Sequence, residues 1–397
     1  MPSPPSRREQ FWRHPFTQIG FGCLALLLIE YNVLLLRYAQ RVHWNDFGKF
    51  YWAAINWRQG GSLYAPTVAT RMEVREGWMQ FLNLNPPHFH LVILPLLQLS
   101  EWTAGVLWIG VNLVAAVVSC ALIARELQLH VPRTRVLAWV CLGLASAATG
   151  TNAMTAQCTG LLLLPMTVAW IEARRGRWAM CGAWLGVLIS LKPFLGLFVP
   201  VFLLIRQWRA CIAACASGLA ATALGAMVFG WRAYIEWIGA LGNVNWVWAG
   251  INGSMRGVIT RFFDPSPNFA ALSAHDAVIV PIWLTASAAV LIVSVRALDR
   301  SADRVFALTV LVSLLISPLG WVYYLWLAAP ACLALWSERV PPVVWIGLGL
   351  LCTPLFSIGS GQPSALASAT LGSAYGYGML LLWFGLLDRR SAISSSR

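Results

Sequence analysis

The 397-residue chain is predicted to be an all-α protein that crosses a membrane many times. Three observations predict it. Hydrophobic residues make up 58% of the chain, and charged residues only 11%, against roughly 25% in a soluble domain. The apolar residues also arrive in runs broken by short connections rich in Gly, Pro or polar side chains. A mean hydropathy of +0.66 and 22 Trp point the same way. Soluble enzymes, secreted modules and disordered chains are excluded on this composition.

The elements follow in order. A polar, basic stretch, MPSPPSRREQFWRHP, precedes an apolar run over 16–36. That run is too long for a signal-peptide core and lacks a small-x-small cleavage site, so it reads as a retained first span. Spans are predicted near 16–38, 102–124, 136–150, 159–173, 179–191, 194–205, 210–230, 277–296, 305–317, 323–336, 342–357 and 369–387, twelve in all. The segment 88–99 is about 12 residues where a ~30 Å core needs roughly 20. It follows Pro86-Pro87 and contains Pro95, so it reads as a short helix at the outer interface. The domain organisation is then a cytoplasmic tail over 1–15, one transmembrane domain over 16–387 and a second tail over 388–397.

Charge supports this topology. With the N-terminus inside, 18 of the 28 Lys and Arg fall on inner segments, including the groups at 125–135 and 174–177. Counting 88–99 as a crossing would move those two groups outside, against the positive-inside rule. The same rule accounts for the net charge of +13 without a nucleic-acid partner. The nine cysteines lie mostly in apolar runs with no CxxC, as small buried hydrophobes do. Two outer segments, 39–101 and 231–276, are long enough to build a working face. That face is expected on the exterior, or periplasmic, side of the cytoplasmic (inner) membrane.

Candidate chemistry lies on that face. Asp46 falls about eight residues past the first span, ahead of apolar residues at helical spacing (Phe47, Phe50, Tyr51, Ala54, Trp57). This predicts an amphipathic interfacial helix with Asn45 or Asp46 as its cap and Gly60-Gly61 ending it, so Asp46 is either a cap or a working acid. Lys192 closes the fifth span beside Pro193, where a lysine either snorkels or meets an anion. Arg256 and Arg261 lie in NGSMRGVITRFF, and Glu30 sits in the outer third of the first span, where an ionisable group is costly. There is no P-loop, HExxH, GxSxG or DxD. His88 and His90 would stand about 200° apart on a helix, so no metal or other cofactor is expected.

Taken in order, the loop motifs resemble glycosyltransferase family 87, polyprenyl-phosphate-mannose-dependent enzymes of the GT-C membrane class. The matching pieces are NDFGKFYWAAINWRQGGSLY at 45–64, NPPHFHLVILPL at 85–96, the stretch from Thr155 to Pro193, NGSMRGVITR at 252–261 and SPLGWVYYLWL at 317–327. The resemblance implies a GT-C fold of about twelve helices, with short interfacial helices in the first outer loop. It also implies that Asp46 is the catalytic base. Lys192, Arg256 and Arg261 would bind the donor phosphate, and Asn252, Ser254, Gln157, Tyr323, Tyr324 and His88 would line the substrates. Two departures stand out. Ala156-Gln157 replaces the family's Gly-Gln, and Tyr323 and Tyr324 stand where it tends to have histidine.

The expected partners are a polyprenyl-phosphate sugar donor, a lipid or glycan acceptor, and membrane lipids. The expected reaction is inverting transfer of mannose or another hexose, with one carboxylate as base. A transporter or flippase would instead show ionisable residues at mid-depth and an internal repeat, and no repeat is visible. A non-catalytic assembly subunit is the third reading.

Overall fold

A computed structural model describes residues 12, 14–74, 77–129, 133–244, 246–264, 271–337, 339–355 and 364–387. The two expected tails lie almost wholly outside the described residues. The chain is a helical bundle. Helix α1 (Pro15–Arg41) exposes Leu26, Leu27 and Leu34, a face suited to lipid rather than water. It ends in a left-handed turn at His43, Trp44 and Asn45 (φ 53°, 56° and 50°), after which α2 (Asp46–Arg58) begins. Gly60, at φ +88°, lies just past α2, as the sequence predicts.

α2 departs from a simple interfacial helix. Phe47, Lys49, Phe50, Tyr51, Ala53 and Ala54 are all buried, so its first two turns are covered on every side. A small hairpin follows, β1 (Arg71–Val74) antiparallel to β2 (Gly77–Gln80), which the sequence reading did not anticipate. The segment 88–99 forms two 3-10 turns, Pro87–Val92 and Leu94–Gln98, rather than a crossing helix.

The bundle continues with α3 (Glu101–Glu126), capped by Ser100, and with α4 (Arg133–Ala145) and α5 (Ala147–Thr155). α6 (Thr159–Arg174), α7 (Trp178–Leu191), α8 (Phe198–Leu204) and α9 (Trp208–Phe229) follow. α10 (Trp231–Gly242) and α11 (Met255–Phe263) lie in the second long segment. The remainder is α12 (Ile279–Ala297), α13 (Ala302–Ile316), a 3-10 turn over Val322–Ala328 leading into α14 (Ala329–Trp336), α15 (Pro342–Leu351), α16 (Ala365–Ala369) and α17 (Ala374–Leu387). Each of the twelve apolar runs is therefore helical over most of its length. Among the described residues, length and composition qualify five segments to cross a membrane, or six if the pair meeting at Ser146, bent by 53°, counts as one span.

α13 is apolar all round and buried from Val305 to Leu315, as a central helix must be. α7 and α9 touch backbone to backbone. A Cβ on Gly182 or Gly186 would stand 2.1 or 2.0 Å from the Ala210 or Ala214 carbonyl oxygen, the small-x-x-x-small packing of membrane helices.

The bundle has two chemically distinct ends. At one, Arg174 pairs with Asp303 (2.6 Å) and Glu126 (3.4 Å), and the Arg304 Nη1 donates to the Leu386 carbonyl (2.6 Å). These bonds tie the C-terminal ends of α3, α6 and α17 to the start of α13. The opposite end gathers the two long segments.

Candidate active site

Asp46 is aimed by the turn that precedes it. Three consecutive non-glycine residues at positive φ cost about 1–2 kcal/mol each and persist only where packing enforces them. Trp44 is buried with its ring against α3, where a Cβ on Gly105 would stand 2.3 Å from it. Gly48 is required because a Cβ there would fall 1.7 Å from the His43 carbonyl oxygen. Asp46 thus occupies the first position of α2, and no side chain caps that helix. Its Oδ1 accepts from the Lys49 Nζ at 2.6 Å and its Oδ2 from the Gln157 Nε2 at 2.7 Å. Both oxygens are engaged elsewhere, so the capping reading does not describe this carboxylate.

Gln157 lies in the turn between α5 and α6. Its Oε1 accepts from the Cys158 backbone N–H (3.1 Å), which turns Nε2 toward Asp46 and toward the Tyr323 hydroxyl at 3.1 Å. Lys49 is 8% exposed and stands 5.4 Å from the Phe81 ring centre.

Lys192 follows α7 directly and is buried, with its Nζ donating to the Asn85 Oδ1 at 2.5 Å. The rings of Phe89 and Tyr324 lie 5.6 and 5.2 Å from the ammonium. Among the described residues it forms no ion pair. Burial pushes its ammonium below the ordinary lysine range, opposed by the Cys158 thiol and the Asp46 carboxylate, which places Asp46 within electrostatic reach. A buried chain supports Asn85. Its Nδ2 donates to the Asn83 Oδ1 (3.3 Å), and its carbonyl accepts from the Tyr64 hydroxyl (2.7 Å). The Asn83 Nδ2 in turn meets the His90 Nε2 at 2.8 Å, while the His90 Nδ1 faces the Pro87 carbonyl at 3.2 Å. Burial pushes His90 down to about 4. His88, also lowered to about 4 by burial, bridges the Tyr234 hydroxyl (3.0 Å) and the Ser190 Oγ (3.1 Å).

The late-loop residues expected at the substrates behave differently. Asn252 is fully buried. It donates to the Val247 and Pro318 carbonyls (2.8 and 3.0 Å) and accepts from the Ser254 and Gly320 N–H groups (3.2 and 2.9 Å). All four of its hydrogen-bonding positions are filled by backbone. Ser254 caps α11 through Gly257 and donates to the Pro318 carbonyl. Arg261 donates to the Trp248, Ala249 and Asn252 carbonyls and to the Ser373 Oγ. Asn252 and Ser254 clip the second long segment onto Pro318 and Gly320, and Arg261 ties that segment to itself and to Ser373, so the polar groups of these residues are engaged largely by backbone. Arg256 differs again. Its guanidinium stands 5.2 Å from the Trp283 ring centre, and its buried Nε has no acceptor among the described residues.

The structure therefore brings Asp46, Gln157, Tyr323, Tyr324 and Lys192 together, with His88 as a strut behind them. Sequence reasoning missed Lys49 and Asn85. Lys49 was visible as a cation three positions past an acid on one predicted helix, a spacing that places the two on the same face.

Residues 83–318, more than half of the chain, match the family model of glycosyltransferase family 87. The chain belongs to that family. The match includes Asn85, Gln157, Lys192 and the Asn252–Arg261 clip, while Asp46 and Lys49 precede it and Tyr323 and Tyr324 follow it. The family-87 chain is thus a polytopic membrane protein of the GT-C class. It is also similar to two curated proteins of Mycobacterium tuberculosis, from strains CDC 1551 / Oshkosh and ATCC 25618 / H37Rv. Both are named alpha-(1->3)-arabinofuranosyltransferase, and each is 29% identical over 176 residues, 43% of this chain. The match spans 38% of the length of those relatives. No solved structure matches the chain with significance.

Proposed function

We propose that this family-87 chain is an inverting membrane glycosyltransferase. It moves a sugar from a polyprenyl-phosphate donor to a lipid or glycan acceptor at the outer face of the cytoplasmic membrane, within a twelve-crossing topology. The observation that carries the reading is a buried lysine, Lys192, with a neutral amide as its hydrogen-bond acceptor, in reach of an oriented carboxylate at one end of the bundle. Burying an uncompensated cation is costly, and an anionic ligand relieves it. A phosphate is the anion that a glycosyl donor brings from the membrane.

In this mechanism the acceptor hydroxyl loses its proton to Asp46 as its oxygen attacks the anomeric carbon. The bond from that carbon to the phosphate oxygen breaks, and its electron pair leaves with the polyprenyl phosphate. Lys192 stabilises the developing charge. One carboxylate suffices for inversion. Gln157 and Tyr323 orient the base, and Asn252 and Ser254 position the loop that carries Tyr323 and Tyr324.

Mannose or another hexose is the sugar that the motif resemblance favours. The Mycobacterium relatives are named for arabinofuranose transfer, so a pentose belongs in the same test. The purified protein in vesicles should transfer sugar from polyprenyl-phosphate mannose or polyprenyl-phosphate arabinose, and mass spectrometry of envelope glycolipids from a deletion strain should show which sugar is missing. Turnover with a nucleotide sugar alone, or complete loss of activity in EDTA, would overturn the reading. The transporter reading expects ionisable groups at mid-depth, whereas Asp46, Lys49 and Lys192 gather at one end of the bundle.

A further inference from the structure

We propose that Lys49 is a shared cation, paired with Asp46 in the resting site and transferred to the donor phosphate as the sugar leaves. The inference rests on the polyprenyl-phosphate reading and adds a residue to its chemistry. The Lys49 Nζ lies 2.6 Å from the Asp46 Oδ1, and the side chains are only 8% and 16% exposed. Such a pair is held in a low-dielectric site where charge must balance locally.

The balance can be followed through the reaction. The resting centre holds one carboxylate, Asp46, and two ammonium groups, Lys49 and Lys192, a surplus of one positive charge. Arg261 lies outside this count because it is held by backbone carbonyls and a serine, and Arg256 because its guanidinium packs on the Trp283 ring of α12. A sugar phosphodiester entering with one negative charge neutralises the centre. During transfer the acceptor proton passes to Asp46, which becomes neutral. The electron pair of the broken bond stays on the phosphate, which departs as a monoester bearing two negative charges. The centre is again neutral, but only if the phosphate holds both lysines.

Lys49 loses its partner at the moment the phosphate acquires its second charge. The same proton transfer that ends the ion pair frees the cation for the leaving group. Geometry permits the exchange. Lys49 stands beside the Phe81 ring, which supports an ammonium without competing for its protons, and its flexible four-carbon stem gives the ammonium reach.

The proposal makes Asp46 and the phosphate monoester competitors for one cation, and that competition is testable without turnover. Binding of polyprenyl phosphate monoester to the reconstituted protein is measured for the wild type, Asp46→Asn and the double variant Asp46→Asn with Lys49→Met. Releasing Lys49 should tighten monoester binding in Asp46→Asn by about tenfold, and the double variant should lose that gain. The double variant removes the pair together, so it leaves no lone buried charge to compromise folding. A purely structural ion pair predicts equal monoester affinity in Asp46→Asn and the double variant, and that result would overturn the proposal. Turnover completes the test. Lys49→Met should lower kcat by about 10²-fold with little change in donor KM, and Lys49→Arg should restore most of it. If the wild type turns over polyprenyl-phosphate donors while monoester binding ignores Lys49, the shared-cation idea fails alone. If the wild type uses no such donor, the functional reading fails with it.

Discussion

Replacing Asp46 by Asn keeps the shape of the side chain and removes its charge, and the surroundings set two separate magnitudes. As general base, the carboxylate contributes about 10²–10⁴ in rate, or about 3–5 kcal/mol of barrier at 1.36 kcal/mol per decade. As the partner of Lys49, it contributes to stability. Breaking a buried pair costs about 3–5 kcal/mol, and the 16% and 8% exposure of the two side chains discounts this to about 1–3 kcal/mol. A helix cap would give neither effect, because Asn caps as well as Asp. Asp46→Asn should therefore melt earlier in detergent and lose turnover. Adding Lys49→Gln should recover the melting temperature and leave turnover lost. Thermal unfolding and a donor-consumption assay on the same preparations separate the two. A folded Asp46→Asn protein that turns over normally would refute the base assignment, and an unchanged melting temperature would refute the energetic reading of the ion pair.

Lys192→Met, which keeps the apolar stem, should lower kcat by about 10²–10³ and leave the fold intact, as circular dichroism and single-turnover kinetics can check. His90 and His88, both depressed to about 4 by burial, make stability pH-dependent. The unfolded chain takes up protons from about pH 6.5 downward while the folded one does not, so stability is complete above about 6.5 and declines toward 4. For the fully buried His90 the loss approaches about 3 kcal/mol, and a series of unfolding midpoints over that window should show it. Reporter fusions at residues 70 and 300 should report opposite sides of the membrane, with 70 exterior, and the reverse result would remove the outward-facing site.

Much of the fold was legible because hydropathy sets where a chain can be helical in lipid, and the twelve apolar runs coincide with helices. The crossing count was less so. Segments such as Trp178–Leu191 and Pro342–Leu351 are shorter than a bilayer core requires, and their depth depends on packing that no local pattern encodes. The site was legible in part. Asp46 and Lys192 lie far apart in sequence, and their shared end follows from alternating helix directions. A polar loop residue carries the same letter whether it faces a phosphate or a backbone carbonyl, so the carbonyl bonds of Arg261 and Asn252 leave no mark in the sequence. Lys49 was overlooked because its helix looked one-sided, and only the burial of both faces shows that its charge cannot be solvated freely.

The left-handed turn between α1 and α2 has a consequence for how the protein tolerates different membranes. α1 packs on α4 and α5, at the margin of the bundle, with a broad apolar face outward. A thicker or thinner bilayer changes the tilt of such a helix. Because Trp44 is wedged against α3 just after the chain leaves α1, that tilt is absorbed over the few residues before Trp44. Asp46 should then keep its hydrogen bond to Gln157 as bilayer thickness changes.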